Sequence, residues 1–211
     1  LDLEKGRWLL IHLRMTGALL ALPKTAPEPP FTRMAFFLSG EENLYFTDIR
    51  TFGVAALVGE DGWRDKGYEG LGTEPLDPRL TPGYLREKAR GKTAVVKAFI
   101  LDQTILAGLG NIYADEALFA AGIRPTRRVN RMPRKAGEAL TLAIRDVIRQ
   151  GLEHHGTTFR NYQDADGNMG DNSLYLQVYH RKGRPCKRCG ALLKQIKVAG
   201  RGSVYCPHCQ K

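Results

Sequence analysis

The stretch CKRCGALLKQIKVAGRGSVYCPHC, residues 186–209, decides how the end of this chain folds. It holds the chain's four cysteines as two C-x-x-C pairs, and two such turns place four thiolates tetrahedrally around one zinc ion. A segment this short buries too little apolar surface to fold alone, so we expect the metal to supply its folding free energy. One structural zinc ion is therefore predicted, with the ligands Cys186, Cys189, Cys206 and Cys209.

The net charge of the chain indicates its partner, and the absence of a secretory pattern indicates how its cysteines are used. The 211 residues carry a formal net charge of +10, which predicts a polyanionic partner, with nucleic acid first and an anionic membrane second. No membrane-spanning run and no secretory pattern is found in the sequence. Two disulfides or four uncoordinated thiols are the alternatives to zinc, but they suit a secreted chain better than this one.

Between the cysteine pairs, residues 192–198 and 203–205 predict a β-hairpin with its tip at residues 199–202. Arg201 lies at this tip between two glycines, which permit a backbone or a ligand to approach closely. Loop arginines in basic domains often contact phosphate. A solvated arginine in a flexible turn is an equally good interpretation of the same pattern.

Upstream of the finger, the chain divides into a strand-rich part and a helix-rich part. Short apolar runs separated by turns predict a sheet sandwich or barrel over residues 1–72. Residues 73–165 predict helices, and residues 166–211 contain a polar loop and the finger, so the fold class is α+β. The predicted strands are residues 8–13, 18–22, 33–38, 44–47, 54–58 and 174–179, and the predicted helices are residues 81–89, 94–101, 111–121 and 133–155.

A glycine-containing loop, residues 108–111, leads into one of these helices. Free N–H groups and the helix dipole make such a position suitable for a phosphate group. Lys92 and Lys97 lie just upstream and favour that interpretation. The alternative is an ordinary loop in which Asn111 caps the helix.

Two other turns display flat or apolar side chains, Met15 on one and Arg50-x-Phe52 on the other. Side chains of this kind can wedge between bases, although packing in a core is the commoner use of such residues. Residues 157–172 form a polar loop long enough to be functional. Arg160 within it is a further candidate for a phosphate contact, with a solvated loop charge as the alternative.

Four further stretches, taken together with the finger, resemble the bacterial formamidopyrimidine-DNA glycosylase family. They occur in the order expected for that family and cover the whole chain, with Arg201 five residues before Cys206. The stretches are IHLRMTG at residues 11–17, TDIRTFG at residues 47–53, LAGLGNIYADE at residues 106–116 and QVYHRKG at residues 177–183.

The resemblance implies a partial β-sandwich lobe, a helix–two-turn–helix domain and a four-cysteine zinc-finger hairpin, with DNA bound between the lobes. It implies a base-excision repair enzyme, both glycosidase (a hydrolase) and lyase, that flips an oxidised purine such as 8-oxoguanine or a formamidopyrimidine out of the duplex. The glycosidic bond is then cut and the strand nicked by β,δ-elimination. A monomer that binds damaged double-stranded DNA in the bacterial cytoplasm, at the nucleoid, and without membrane contact is implied as well.

The same resemblance suggests roles for single residues. Met15, Arg50 and Phe52 would fill the gap left by the flipped base, and residues 157–172 would cover that base. Phosphates beside the lesion would be bound by Asn111 and Arg201, and the DNA backbone by Lys97, or by Lys92 if the alignment shifts. Arg201 would also be the catalytic proton donor of the δ-elimination step.

The family's catalytic proline amine, glutamate and lysine have no counterpart here, because the chain opens at Leu1. We therefore expect a family member that lacks its N-terminal segment, and that binds DNA without glycosylase activity as it stands. A sister glycosylase for oxidised pyrimidines and a non-catalytic damaged-DNA-binding module are alternatives. A zinc-ribbon protein of RNA or the ribosome explains the finger and the charge, but not the helical part or the two wedge-bearing turns.

Overall fold

A computed structural model describes residues 1–3, 6–59, 62, 70–159, 165 and 167–211. Its internal contacts divide the chain into two compact units. The first unit comprises residues 1–69 and 151–174, and the second comprises residues 70–150 and 175–211. Strands prevail in the first unit and helices in the second, so the predicted α+β class is confirmed.

The first unit contains two antiparallel sheets of three strands each, in the orders β1-β2-β6 and β3-β5-β4. Buried side chains alternate with less buried ones at the start of β3, where the buried Leu20 pairs with the buried Tyr45 of β5. The sheet prediction for this part of the chain is thereby confirmed. The strands are β1 (Asp2–Leu3), β2 (Arg7–His12), β3 (Gly17–Pro23), β4 (Thr32–Phe37), β5 (Glu42–Asp48) and β6 (Val54–Val58).

The pairing of β3 with β5 fixes the position of two functional turns. Gly17 lies opposite Asp48 at the end of the ladder, so the turn before β3 meets the loop that follows β5. The first turn is closed by the Gly17 N–H, which donates to the Leu13 carbonyl at 3.0 Å. A Cβ at Gly17 would lie 2.4 Å from that carbonyl oxygen, so only glycine lets the chain turn so tightly and display Met15.

The second unit is built around four helices and one apolar core. Thr81 caps α1 (Pro82–Ala89) through its side chain, which accepts from the Tyr84 N–H, and Pro82 holds the first helical position, where its missing N–H costs nothing. Fully buried side chains such as Ile100, Leu118 and Ile144 fill the centre. The helices are α1 (Pro82–Ala89), α2 (Val96–Leu101), α3 (Asn111–Ala120) and α4 (Arg134–Glu153).

Two predictions of secondary structure are wrong. Residues 174–179 are not a strand, because Asn172–Leu174 form a 3-10 turn and the chain then continues irregularly. The hairpin of the finger has its strands at β7 (Lys194–Val198) and β8 (Arg201–Tyr205). Its tip is therefore only two residues long, and Arg201 lies within a strand.

None of the helices in the described part of the chain is long and apolar enough to cross a membrane.

Candidate nucleic-acid interface and zinc site

The four cysteine sulfurs of the finger lie within 4.8 Å of one another. The sulfurs of Cys186 and Cys209 are 4.0 Å apart, and those of Cys189 and Cys206 are 3.5 Å apart. Four sulfurs about 2.3 Å from one zinc ion are separated by about 3.8 Å, so the set fits one tetrahedral ion. All four cysteines are free of disulfides, which removes the disulfide alternative. Cys186 and Cys206 are buried against Phe119 of α3 and Leu193, so the metal site is also the core of the finger.

The hairpin between the cysteine pairs turns at Ala199 and Gly200. Their φ angles are +48° and +76°, which is the two-residue turn with both residues left-handed that matches the twist of the flanking strands. Arg201 then opens β8 opposite Val198, and its side chain is exposed. The finger therefore displays Arg201 from a paired strand, which fixes its backbone more firmly than the predicted four-residue tip would.

Behind Arg201, a buried ion pair joins the hairpin to α2 and α3. The Lys97 ammonium lies 2.7 Å from Asp115 Oδ1, and both side chains have no solvent exposure. The carboxylate also accepts from the Ser203 hydroxyl at 2.7 Å and from the Val204 N–H at 2.9 Å. Burial raises the pKa of the Asp115 carboxyl and lowers the pKa of the Lys97 ammonium, because each charge has lost its water. Their mutual attraction opposes both shifts, and the Ser203 and Val204 donors oppose the shift of Asp115.

The backbone carbonyl of Gly202 binds two side chains for which the sequence predicts a DNA contact, Lys97 and Asn111. It accepts from the Lys97 ammonium at 2.9 Å and from Asn111 Nδ2 at 3.2 Å. Asn111 is the first residue of α3, and Gly110 holds the N-cap position without a side-chain bond, so the alternative in which Asn111 caps its helix is wrong. Gly110 has no side chain that could accept from the N–H groups of the first helical turn. Asn111 and Arg201 are thus tied to one backbone segment through Gly202.

The buried position of Lys97 does not agree with a direct contact to a DNA backbone. Its ammonium is enclosed by Asp115 and the Gly202 carbonyl and has no exposed surface. Lys92, in contrast, is exposed in the loop before α2. The physical reason is that Lys97 lies on the face of α2 that packs into the core of the second unit, beside Phe99 and Ile100.

A second carboxylate on α3 holds the segment that precedes the finger. Glu116 Oε1 accepts from the N–H groups of Val178 at 2.9 Å and Tyr179 at 2.8 Å, and Oε2 accepts from Gln177 N–H at 2.8 Å. These N–H groups bond to a side chain instead of a neighbouring strand, which explains why the predicted strand at residues 174–179 does not form. Burial raises the pKa of Glu116, while its three N–H donors act in the opposite direction. Sequence reasoning assigned no role to Glu116.

In the first unit, Asp48 organises the loop of residues 48–53. Its Oδ1 accepts from the Thr16 hydroxyl at 2.5 Å and from the Arg50 N–H at 3.1 Å, and its Oδ2 accepts from the Gly53 N–H at 2.7 Å. The Thr16 hydroxyl is the main cause that lowers the pKa of the Asp48 carboxyl, with the Gly53 N–H next. A Cβ at Gly53 would lie 2.3 Å from Cζ of Phe46, so the loop also needs glycine at its end.

That loop and the turn before β3 bring Met15, Arg50 and Phe52 together. We call these three residues the wedge cluster. The guanidinium carbon of Arg50 lies 4.6 Å from the centre of the Phe52 ring, and Arg50 Nη1 lies 3.7 Å from the Met15 sulfur. Met15 is 77% exposed and Phe52 is 54% exposed, so packing in a core does not account for them. Arg160 lies outside the described residues.

Three family models match this chain, and together they span most of its length. They are the formamidopyrimidine-DNA glycosylase N-terminal domain over residues 1–55, its H2TH domain over residues 71–163, and the zinc finger found in FPG and IleRS over residues 183–211. The first match begins at residue 1 and gives no support to the expectation that an N-terminal segment is lacking.

Curated relatives and solved structures agree with these matches. The formamidopyrimidine-DNA glycosylase of Pelotomaculum thermopropionicum is 43% identical over 100% of this chain and 77% of its own length. That of Desulforamulus reducens is 42% identical over 100% of this chain and 76% of its own length. The Lactococcus lactis Fpg in complex with DNA containing an abasic site matches with a TM-score of 0.86 and 33% identity, over 98% of this chain and 76% of that one. The Fpg protein of Thermus thermophilus matches with a TM-score of 0.87 and 37% identity, over 98% of this chain and 77% of that one.

Proposed function

This chain belongs to the formamidopyrimidine-DNA glycosylase family, and we propose that it recognises duplex DNA with an oxidised purine and supports removal of that base. The family is one of base-excision repair enzymes, so the reaction class is cleavage of a glycosidic bond. We propose in addition that the strand is then nicked by β,δ-elimination. Among oxidised bases, 8-oxoguanine and formamidopyrimidines are the proposed substrates.

The observation that carries this proposal is the wedge cluster. An exposed thioether and an exposed phenyl ring, held against one guanidinium by a buried aspartate, are suited to enter a base stack from which a nucleotide has been extruded. Unstacking a base costs a few kcal/mol, and the inserted side chains offset part of that cost by replacing the lost stacking. A solvated surface loop needs none of these contacts.

The second unit supplies the proposed grip on the phosphates. Toward an anion, Asn111 offers the N–H donors of its side-chain amide and Arg201 offers those of its guanidinium. We assign Arg201 the further role of proton donor in δ-elimination. Lys97 acts as a positioning residue, since its ammonium reaches the Gly202 carbonyl and not the solvent. Lys92 is the exposed lysine available for a backbone phosphate.

The test is binding of the purified protein to three matched duplexes, measured by fluorescence anisotropy. One duplex carries a tetrahydrofuran abasic analogue, one carries 8-oxoguanine, and one is undamaged. We expect tighter binding to the two damaged duplexes. Phe52→Ala should weaken binding to the abasic duplex by roughly 5- to 100-fold, the value of one base–aromatic stack. Phe37→Ala is the matched control, because Phe37 is 81% exposed and pairs with Asn43, at the end of β5 opposite to Asp48 and the wedge cluster.

Excision is a separate readout, measured on the 8-oxoguanine duplex and on a fourth matched duplex that carries thymine glycol. Release of 8-oxoguanine in preference to thymine glycol would support the purine assignment, and the reverse preference would assign the chain to oxidised pyrimidines. Damage-selective binding with neither base released would agree with the expectation that this chain binds DNA without glycosylase activity. Equal affinity for all three duplexes would refute the proposed function.

A further inference from the structure

Nearly all of the net charge of the chain comes from two short segments. Residues 86–92 and 124–135 together contain ten Lys or Arg residues and one acidic residue, a net charge of +9, whereas the whole chain has +10. Both segments belong to the second unit. The remaining residues are close to neutral in sum, so the polyanion-binding tendency of this protein is concentrated in these two segments.

The fold brings the two segments to one place. The N–H of Val129 donates to the Ala94 carbonyl at 3.0 Å, and the N–H of Val96 donates to the Arg127 carbonyl at 2.7 Å. Helix α1 and the segment around residues 129–132 line a groove of about 750 Å³. Arg86 and Arg90 line it from α1, and Asn130 and Met132, the two neighbours of Arg131 in sequence, line it as well.

The groove is open to a ligand. Arg86, Arg90 and Arg131 are exposed, and within the described residues their guanidinium groups make none of the ion pairs recorded for this chain. Gly91 has a φ of +73°, and a Cβ there would meet none of the described atoms within 4 Å. Glu87 is the acidic side chain among the groove-lining residues of α1.

Helix electrostatics explain only part of this charge. Arg86 and Lys88 lie in the last turn of α1, where the dipole favours cations. Arg134 and Lys135 lie in the first turn of α4, where the dipole disfavours them by a few tenths of a kcal/mol or more each. Of these two, Arg134 has a compensating partner, Glu138, at 2.9 Å. Positive charge at a position that costs stability points to a role in binding.

We propose that this groove is a second, sequence-independent contact surface for the phosphate backbone of duplex DNA. It is distinct from the phosphate-binding pair, since neither Asn111 nor Arg201 is among the residues that line it. The inference rests on the proposed function only for the identity of the polyanion. Backbone contacts of this kind position a protein on DNA and carry no sequence information. The groove therefore holds undamaged DNA while the wedge cluster samples the base stack.

The experiment compares three proteins: the wild type, the variant Arg86→Gln/Arg90→Gln/Arg131→Gln, and a control with the same charge change at exposed positions elsewhere. The control is Lys24→Gln/Arg149→Gln/Lys211→Gln. Affinity for a long undamaged duplex is measured as a function of salt. Three lost phosphate contacts should reduce the salt slope by about 2.7, so that between roughly 50 and 200 mM salt the wild type loses about 40-fold more affinity than the groove variant.

The ratio of affinities for abasic and undamaged duplexes should stay at the wild-type value in the groove variant, because the wedge cluster is unchanged. A salt slope equal to that of the wild type and the control would overturn the proposal. Lost binding to polyglutamate with unchanged binding to DNA would overturn it too, by assigning the groove to an acidic protein. If the wild type binds DNA through the groove but does not distinguish damage, the proposed function fails and the groove assignment stands.

Discussion

The buried ion pair between Lys97 and Asp115 gives the sharpest test of how the second unit presents Arg201. Replacing Asp115 by Asn keeps the shape of the side chain but removes the negative charge. Three donors now face it: the Lys97 ammonium, the Ser203 hydroxyl and the Val204 N–H. The amide can accept at one atom only, so the ammonium remains buried in a site that no longer compensates its charge.

The expected cost follows from that geometry. Removing one partner of a fully buried ion pair destabilises a protein by about 3–5 kcal/mol, because the other charge is left without compensation. We expect Asp115→Asn to lower the free energy of unfolding by that amount, measured by urea titration with an unchanged m-value. The matched control is Asp146→Asn on α4, whose partner Arg149 is 3.7 Å away and largely exposed. An exposed pair contributes at most about 1 kcal/mol.

A double-mutant cycle separates the ion pair from its surroundings. Lys97→Met in the Asp115→Asn background removes the uncompensated ammonium, so the double variant should be more stable than Asp115→Asn alone, with a coupling energy of about 1–3 kcal/mol. DNA affinity should fall in the single variant Lys97→Met, because the Gly202 carbonyl loses its ammonium donor, and in Asp115→Asn, because the bonds of the carboxylate to Ser203 and Val204 are weakened. A cost below about 1 kcal/mol for Asp115→Asn, or additive effects in the cycle, would refute this account of the pair.

Three further outcomes are expected. Gly53→Ala should destabilise the first unit by about 1–3 kcal/mol through overpacking. The control Gly40→Ala should not change stability, because a Cβ there meets none of the described atoms within 4 Å. The two variants are compared by thermal unfolding, and equal melting temperatures would contradict the reasoning. Cys206→Ser should lose its bound zinc, measured by atomic absorption, and should also lose affinity for DNA. Full DNA affinity in a zinc-free protein would show that the finger does not position the proposed DNA contacts. Because the pKa of Asp48 is lowered, its contribution to stability is present above its unfolded-state pKa and is lost as pH falls through its folded-state pKa. Thr16→Val should raise the folded-state pKa of Asp48. An unchanged titration of the Asp48 carboxyl by NMR would exclude the Thr16 hydroxyl as the main cause of the lowered pKa.

The parts of this structure that local rules determine were predictable from the sequence. The cysteine spacing predicts the metal site, and Thr81-Pro82 predicts the start of α1, because both depend on residues a few positions apart. Short apolar runs separated by turns predict the strands of the first unit for the same reason. The exposed turns with Met15 and Phe52 were recognisable as candidates, but their meeting depends on the register of β3 and β5.

What the sequence did not reveal depends on contacts between distant residues. Glu116 binds the N–H groups of residues 177–179, some sixty positions along the chain. No local pattern distinguishes such a glutamate from one that simply favours the helix dipole. Lys97 is of a residue type that commonly contacts DNA, yet its position on the inner face of α2 buries it. The two-residue tip of the hairpin likewise follows from strand pairing, which moved Arg201 from a loop into β8.

Adjacent residues on one turn of α3 hold opposite flanks of the finger: Asp115 binds the N–H of Val204 within it, and Glu116 binds residues 177–179 before it. The finger therefore cannot detach from α3 at one side while it remains attached at the other without exposing a buried carboxylate. Its opening becomes an all-or-none event, so the amides of Val178, Tyr179 and Val204 belong to a single cooperative unit in hydrogen exchange. Loss of zinc and loss of order around Asp115 and Glu116 are then thermodynamically linked, so metal availability controls the rigidity of the hairpin that carries Arg201, the proposed phosphate ligand.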